Sequence, residues 1–387
     1  MANYEEMHRN YVAPTYGSRG LTITKGQGVY LFDDQGKKYI DCMSNFGVNI
    51  LGHNVEEINQ RVNNQLSKLT NLHGSFVNDQ RSLVAKKLVE LSPKNLKKVF
   101  FCNSGTEAVE AAIKFSRLAT GKTGIIAAKM GYHGKTMGAL SLTKTLKKYN
   151  EPFSPLLNEV THFSFNDIDS LKEVINENTA AVFLEPIQGE SGIRLPDDDF
   201  FINVKKVCEE YGALLVIDEI QTGMGRTGKI FAIDHYNIEP DMICMAKGIA
   251  SGLPMGATLI SEEVSEKLFG GAHTNTFGGN PLVCAAALET FDYIKNNDLL
   301  QNASEIGNYF ISELKKIDSR LIREVRGKGL MIAIELKAKC SRFVKLMQEK
   351  GLLTIPTGST VIRLLPPIIF SKDNVDEVVK IIKEVLI

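Results

Sequence analysis

Short apolar runs alternate with helical patterns between residues 55 and 280, and this alternation constrains the fold more than any other feature. The apolar runs lie at 99–102, 124–128, 180–184, 213–217 and 242–245. Between them, residues 107–118 and 200–211 place apolar side chains at helical spacing. Strands that alternate with helices predict an α/β fold in which a mainly parallel sheet is flanked by helices.

The segments on either side of this region have different patterns. Residues 15–50 alternate apolar and polar side chains between Gly and Asp turns, which predicts a small antiparallel meander. Its stretches lie at 21–24, 29–32 and 38–42. After residue 281 the pattern predicts a long helix, a strand at 325–336, another helix, a strand at 361–365 and a final amphipathic helix.

These changes of pattern divide the chain into three predicted parts. Residues 1–50 form an N-terminal segment that we expect to pack with the small domain. Residues 51–280 form a large domain around the mainly parallel sheet, and residues 281–387 form a small α+β domain. A length of 387 residues is consistent with more than one domain, because a domain typically has about 100–200 residues.

Composition excludes several classes of function. Lys+Arg and Asp+Glu are both 45, so no net charge attracts nucleic acid or an anionic membrane. The six cysteines are scattered, with no CxxC pair and no histidine at zinc spacing, which favours reduced thiols and no metal site. The start, MANYEEMHRN, is charged, and no run of about 18 apolar residues occurs. We therefore expect a cytoplasmic protein with no metal, no membrane span and no nucleic-acid partner.

Polar residues follow the apolar runs, where ligands bind in an open parallel sheet. The segment 103–107, Asn-Ser-Gly-Thr-Glu, follows the first run and opens a helix. Free N–H groups at a helix start suit a phosphate; Gly105 permits close approach and Thr106 adds a hydroxyl. The same letters also fit a plain helix cap.

Two further charged residues stand at strand ends. Asp218 follows the run 213–217, and a buried carboxylate there needs a cation such as a protonated pyridine nitrogen; its alternative is to cap the following turn. Lys247 follows the run 242–245. A buried lysine has a lowered pKa and can form a Schiff base, whereas an exposed lysine would be an ordinary surface residue.

The segment GMGRTGK, residues 223–229, contains GxGxxG and nearly matches the phosphate loop GxxxxGK[ST]. Both nucleotide interpretations fail. Ile230 replaces the hydroxyl residue that would bind magnesium, and no clear helix follows the glycines.

Taken together, the strand-end motifs resemble those of class III aminotransferases. The shared segments are FCNSGTEAVEAAIK (101–114), GYHGKT (131–136), EPIQGESG (185–192), VIDEIQTGMGRTGK (216–229), MAKG (245–248) and TNTFGGNP (274–281). Within the class, three more segments resemble acetylornithine aminotransferases and their relatives that act on substrates carried by the protein LysW. They are RGLTITKG (19–26), EVRGKGLMIAIEL (324–336) and GSTVIRLLPP (358–367).

The resemblance implies a type I fold that binds pyridoxal 5'-phosphate, with the small domain built from both termini. Lys247 matches the lysine that holds the cofactor as a Schiff base and shuttles the proton. Asp218 matches the partner of the pyridine nitrogen, Gln221 the residue at the ring hydroxyl, and Tyr132 the aromatic residue that stacks on the ring.

The resemblance also implies a homodimer with shared active sites. Gly105 and Thr106 match the phosphate cradle, and Thr276 matches a residue that reaches the phosphate of the neighbouring subunit.

On the substrate side, Arg363 matches the arginine that binds a substrate α-carboxylate, and Glu190 matches the carboxylate that pairs with it when glutamate is absent. Two residues depart from the family pattern at positions that face the substrate. Lys135 stands where relatives have arginine, and Asn275 stands where they have serine. Lysine offers one point charge to a carboxylate, whereas arginine offers a fork of two donors.

These features predict a ping-pong transfer of an amino group between glutamate or 2-oxoglutarate and the terminal semialdehyde or amine of acetylornithine, or of LysW-linked lysine or ornithine. A LysW-type carrier is then a possible partner. The alternative is a putrescine or 4-aminobutyrate aminotransferase, favoured by Lys135 and by the stretches MGRTGK and PMGAT. A cofactor-binding protein without catalysis is a third class, but it predicts erosion of Lys247, Asp218 and Thr276, and all three are present.

Overall fold

The computed structural model describes residues 4–387, which form helices and strands in three sheets. The first elements are α1 (Tyr4–Tyr11), β1 (Ile23–Gln27), β2 (Tyr30–Asp33), β3 (Lys38–Asp41) and a single turn, α2 (Ser44–Gly47). The central elements are α3 (Glu56–Leu66), α4 (Asp79–Leu91), β4 (Leu96–Cys102), α5 (Gly105–Thr120), β5 (Gly124–Ala128), α6 (Met137–Leu142), α7 (Lys147–Asn150), β6 (Val160–Phe163), α8 (Ile168–Lys172), β7 (Thr179–Leu184), α9 (Phe200–Glu210), β8 (Leu214–Asp218), β9 (Met242–Met245), β10 (Gly256–Ser261), α10 (Glu262–Glu266) and α11 (Pro281–Asn296). The last are α12 (Leu299–Lys315), β11 (Ile322–Lys328), β12 (Met331–Leu336), α13 (Ser341–Glu349), β13 (Leu352–Leu353), β14 (Ile355–Thr357), β15 (Val361–Leu364) and α14 (Lys372–Leu386).

The central sheet has seven strands in the order β4-β10-β9-β8-β7-β5-β6. Strands β5 to β9 pair in parallel, and only β10 is antiparallel to its neighbours β4 and β9. The predicted α/β fold with a mainly parallel sheet is confirmed. Because every strand but one points the same way, the carboxyl ends meet at one edge, which is where such sheets bind ligands.

Two smaller sheets contain the remaining strands. One has the order β1-β2-β3-β13, and its parallel β3–β13 pair joins the N-terminal meander to a strand near residue 352. The other is antiparallel, in the order β11-β12-β15-β14. The two chain ends therefore share one sheet, while the boundaries at 50 and 280 stay a prediction. In the range 4–387 no helix is long and apolar enough to cross a bilayer.

The structure corrects two predictions for the C-terminal part. The single strand predicted at 325–336 is the hairpin β11–β12, because Gly329 takes a positive φ of 55° and turns the chain between its two halves. The single long helix predicted after residue 281 is two helices. Asp298 has a left-handed φ of 51° and separates them, and α11 packs against α3 and α4.

Candidate active site

A cavity of about 510 Å³ lies at the carboxyl ends of the central strands. Its walls come from the loops after β4, β5, β7, β8 and β9, so residues far apart in sequence meet there. The predicted site residues that line it are Gly105, Thr106, Tyr132, Lys135, Glu190, Asp218, Gln221 and Lys247.

Asp218 closes strand β8 and is almost fully buried. One carboxylate oxygen accepts the N–H of Ile220 at 3.0 Å, and the other lies 2.8 Å from Nδ1 of His133. Burial disfavours the charged form of the histidine ring, but the hydrogen bond to Asp218 and the negative charges of Asp218 and Glu185 together outweigh burial and raise the pKa of His133. A charged His133 would partly neutralise Asp218 and hold its carboxylate in place.

Lys247 follows β9 and begins a short 3₁₀ turn, Lys247–Ala250. Its backbone has a left-handed φ of 46°, a conformation that costs free energy in any residue other than glycine and is often found at functional sites. Burial lowers the pKa of the Lys247 ammonium, while the nearby charge of Glu190 opposes that shift. A lysine of this kind is neutral more often than an exposed one and is therefore a better nucleophile.

The start of α5 forms a cradle of N–H groups and hydroxyls at one end of the cavity. Ser104 caps the helix by accepting the N–H of Glu107. Gly105 has no room for a side chain, because an added Cβ would lie 2.8 Å from Cδ1 of Ile220. The hydroxyls of Thr106 and Thr136 lie 2.7 Å apart at the same place. Such an arrangement suits a phosphate group.

Arg363, on β15, is fully buried and lies next to the cavity rather than in its wall. Its Nη2 is 2.7 Å from Oε1 of Glu190, and its Nη1 donates to Oε1 of Gln221 at 2.9 Å. Burial alone would raise the pKa of Glu190, but the arginine charge lowers it. Gln221 also donates through Nε2 to the carbonyl of Phe46 at 3.3 Å. The four residues form one connected group.

The remaining predicted residues lie farther out. Lys135 is exposed at the cavity rim with its Nζ 4.1 Å from the ring centre of Tyr149, a cation–π contact. Asn275 does not line the cavity: its amide donates to the carbonyl of Phe101 at 2.9 Å and accepts the N–H of Gly278. Thr276 is exposed.

Two residues of the site received no role from the sequence, although both lie in quoted motifs. His133 is the partner of Asp218, and Glu185 is a buried carboxylate in the cavity wall. The signal for Glu185 was a carboxylate directly after an apolar strand, and the signal for His133 was a titratable residue in a glycine-flanked loop. Nothing in the one-dimensional pattern pairs either one with a partner elsewhere in the chain.

Comparisons with known proteins agree with this geometry. The family model described as aminotransferase class-III matches residues 11–386. The chain belongs to the class III aminotransferases. It is 42% identical over 97% of its length, and 94% of the relative's, to a protein from Methanosarcina mazei named acetylornithine aminotransferase.

Two other similar proteins are informative. A protein from Sulfolobus acidocaldarius named [LysW]-aminoadipate semialdehyde/glutamate semialdehyde transaminase is 41% identical over 96% of both chains. A solved structure of the ornithine aminotransferase from Toxoplasma gondii, described with partial occupancy of PLP at its active site, superposes with a TM-score of 0.94 at 29% identity, covering 99% of this chain and 93% of that one.

Class III aminotransferases use pyridoxal phosphate, and the residues of this cavity fit it. The start of α5 suits the phosphate, because its N–H groups and the hydroxyls of Thr106 and Thr136 lie together there. The buried carboxylate of Asp218 suits a protonated ring nitrogen. Lys247, whose pKa burial lowers, suits the aldehyde. The predicted cofactor is thus confirmed, while the role of each residue stays a prediction.

Proposed function

We propose that this aminotransferase moves an amino group between glutamate or 2-oxoglutarate and the terminal amine or semialdehyde of acetylornithine, or of LysW-linked lysine or ornithine. The contact that carries the proposal is the pair between Arg363 and Glu190, 2.7 Å apart beside the cavity. The relatives named acetylornithine aminotransferase and [LysW]-aminoadipate semialdehyde/glutamate semialdehyde transaminase support this choice of substrates and a place in arginine and lysine biosynthesis.

In this proposal the cofactor is held by its phosphate, its ring and its aldehyde. Gly105 and Thr106 would bind the phosphate, Tyr132 would stack on the ring, and Gln221 would contact the ring hydroxyl. Asp218 pairs with the ring nitrogen, supported by His133 at 2.8 Å.

Pyridoxal phosphate, when bound, supplies an aldehyde that takes up the amine nitrogen and a ring that withdraws electrons from the substrate carbon. With the cofactor bound, Lys247 would be both its anchor and the base, with its Nζ taking a proton from the substrate carbon and later giving it back. The burial that lowers the pKa of Lys247 favours the neutral amine that this step requires.

The pair of Arg363 and Glu190 allows one cavity to accept two unlike substrates. A fully buried guanidinium needs an anion, because an unpaired charge is costly in the interior. Glu190 supplies that anion when an amine without a nearby carboxylate binds. Glutamate brings its own α-carboxylate, which displaces Glu190 from Arg363.

The proposal extends to assembly and location. We propose a cytoplasmic homodimer in which Thr276 of one subunit reaches the cofactor phosphate of the other; its exposure in a single chain supports this. For a carrier-bound substrate, the partner is a LysW-type protein.

Putrescine or 4-aminobutyrate transamination is the alternative, favoured by Lys135, whose ammonium lies over Tyr149 and offers no fork to a carboxylate. Absorption spectra of the purified protein mixed with acetylornithine, LysW-linked lysine, putrescine or 4-aminobutyrate decide between the two. The true substrate bleaches the band of the lysine-bound cofactor. Bleaching by putrescine alone would remove the first proposal.

Exchange of Lys135 for arginine should strengthen binding of a carboxylate substrate. The position lines the cavity, and a bidentate arginine contact is stronger than a single ammonium contact by about 1 kcal/mol, or roughly five-fold in affinity. We expect KM for that substrate to fall while kcat changes less, because the contact exists in both ground and transition states.

Steady-state kinetics of Lys135→Arg with glutamate, acetylornithine and putrescine measure this effect. Lys148→Arg is the matched control, because Lys148 also lies near the Tyr149 ring, at 5.5 Å, but does not line the cavity. An equal shift of KM for putrescine, which has no carboxylate, would exclude Lys135 as the carboxylate contact.

A further inference from the structure

Glu185 connects two loops of the active site through its carboxylate: the loop after β5 and the loop after β7. It follows β7 directly, and only 7% of its surface is exposed. Its Oε1 accepts the backbone N–H of Tyr132 at 2.9 Å, and its Oε2 accepts the backbone N–H of Gly189 at 3.2 Å. One carboxylate thus fixes two segments that are separate in sequence.

One of the two donors has a proposed role, and the other is next to a residue that has one. Tyr132 itself is the proposed ring-stacking residue, and Gly189 precedes Glu190, the partner of Arg363. The backbone at Gly189 is tightly packed. A Cβ added there would collide with Oε1 of Gln221, the atom to which Arg363 donates. A displacement of Gly189 would therefore disturb the whole Arg363 group.

The surroundings of Glu185 are those of the reaction rather than of an ordinary core. Burial raises the pKa of Glu185 to about 7, with His133 opposing and Asp218 adding to the shift. Lys247 also feels the charge of Glu185, which opposes the lowering of the lysine pKa. The carboxylate of Glu185 thus interacts electrostatically with Lys247, the proposed base, and with the His133–Asp218 pair.

We propose that Glu185 is a positioning residue that sets the separation between Tyr132 and Glu190, and with it the balance between the glutamate and amine half-reactions. The inference rests on the proposed roles of those two residues. A carboxylate suits this task because its two equivalent oxygens each accept one N–H. An amide has one accepting oxygen and one NH₂ group, so Glu185→Gln leaves one backbone N–H facing another donor.

Glu219 provides a matched control in the same chain. It is also fully buried, burial also raises its pKa to about 7, and it is the neighbour of Asp218 in sequence. It accepts hydrogen bonds from the Thr222 hydroxyl and, at 2.7 Å, from the N–H of Ile233, and it does not line the cavity. Glu219→Gln therefore makes the same chemical change at a buried site outside the cavity.

The experiment compares Glu185→Gln and Glu219→Gln in three measurements: melting temperature, the dissociation constant for pyridoxal phosphate, and the ratio of kcat/KM for glutamate to kcat/KM for the amine substrate. Both variants should melt at a lower temperature. Only Glu185→Gln should weaken cofactor binding and change the ratio, each by about tenfold, the usual effect of losing a hydrogen bond to a charged group. Glu219→Gln should keep both within about twofold, because Glu219 accepts from Thr222 and Ile233, neither of which belongs to the two loops held by Glu185, and residues that share no contacts couple weakly.

Two outcomes would show that Glu185 has only a structural role. One is an equal change of the glutamate-to-amine ratio of kcat/KM in both variants; the other is an unchanged ratio and an unchanged cofactor affinity in Glu185→Gln. If Glu185→Gln does not fold, Glu185→Asp replaces it: the shorter side chain keeps its charge but reaches only one of the two loops, so the ratio should change in the same way. The cofactor dissociation constant is independent of the substrate. It therefore tests the inference even if acetylornithine and the LysW-linked amines prove not to be substrates.

Discussion

Lys247→Ala is expected to fold, bind pyridoxal phosphate non-covalently and show turnover reduced by about 10⁴-fold or more, since it removes both the covalent anchor and the base. Gly105, Thr106 and Asp218 remain to hold the cofactor. We expect the cavity to keep its shape, because the residues that follow Lys247 in its short 3₁₀ turn, Gly248–Ala250, are themselves buried.

Borohydride reduction followed by mass spectrometry of the intact chain measures the covalent link. The native protein should gain the mass of a reduced cofactor, and Lys247→Ala should not. Lys135→Ala is the control, because that lysine also lines the cavity but lies at its exposed rim. Labelling of Lys247→Ala, or loss of labelling in Lys135→Ala, would assign the cofactor to another lysine.

Much of the large sheet was predictable because its strands are continuous apolar runs. β5 and β9 have the predicted bounds, 124–128 and 242–245. β6 and β10 were missed for physical reasons. β6 is short and partly exposed, so its sequence Val-Thr-His-Phe has no apolar run. β10 follows β9 without an intervening α-helix, and an antiparallel neighbour does not belong to the expected alternation.

The glycine-rich segment 223–229 shows how a motif misleads when its partners are unknown. Arg226 within it is fully buried and donates to the carbonyls of Leu330 and Pro366, far along the chain. Gly225 and Gly228 take positive φ values of 89° and 91° where the loop packs against α12. The spacing of these glycines reflects a contact with the C-terminal part, which no local pattern contains.

The active-site residues that stand at the ends of strands were predictable from the sequence, but their partners were not. Asp218 and Lys247 follow directly from the rule that ligands lie beyond the carboxyl ends of parallel strands. The pairs His133–Asp218 and Glu190–Arg363 span 85 and 173 positions, and their distances of 2.8 and 2.7 Å come only from the folded chain. Periodicity says which face a residue lies on, but it does not say which residue lies opposite.

Asp218→Asn is expected to bind the cofactor measurably and to slow both half-reactions by about 10²- to 10³-fold, the usual effect of removing one electrostatic contact at a reacting group. A neutral amide does not keep the ring nitrogen protonated, so the ring withdraws electrons less well. The substitution also acts on His133. Without the charge of Asp218, only the charge of Glu185 still opposes the effect of burial, so the pKa of His133 should fall.

His133→Asn separates these two effects, because it removes the buried partner and keeps the carboxylate. If Asp218 acts directly on the ring nitrogen, the half-reactions of Asp218→Asn, measured by stopped-flow absorbance, should be slower than those of His133→Asn. If His133 were the group that matters, the two variants would be equally slow. Near-normal rates in Asp218→Asn would exclude Asp218 from the ring-nitrogen role. The carboxylate, 2.8 Å from His133, would then serve only to hold the loop after β5.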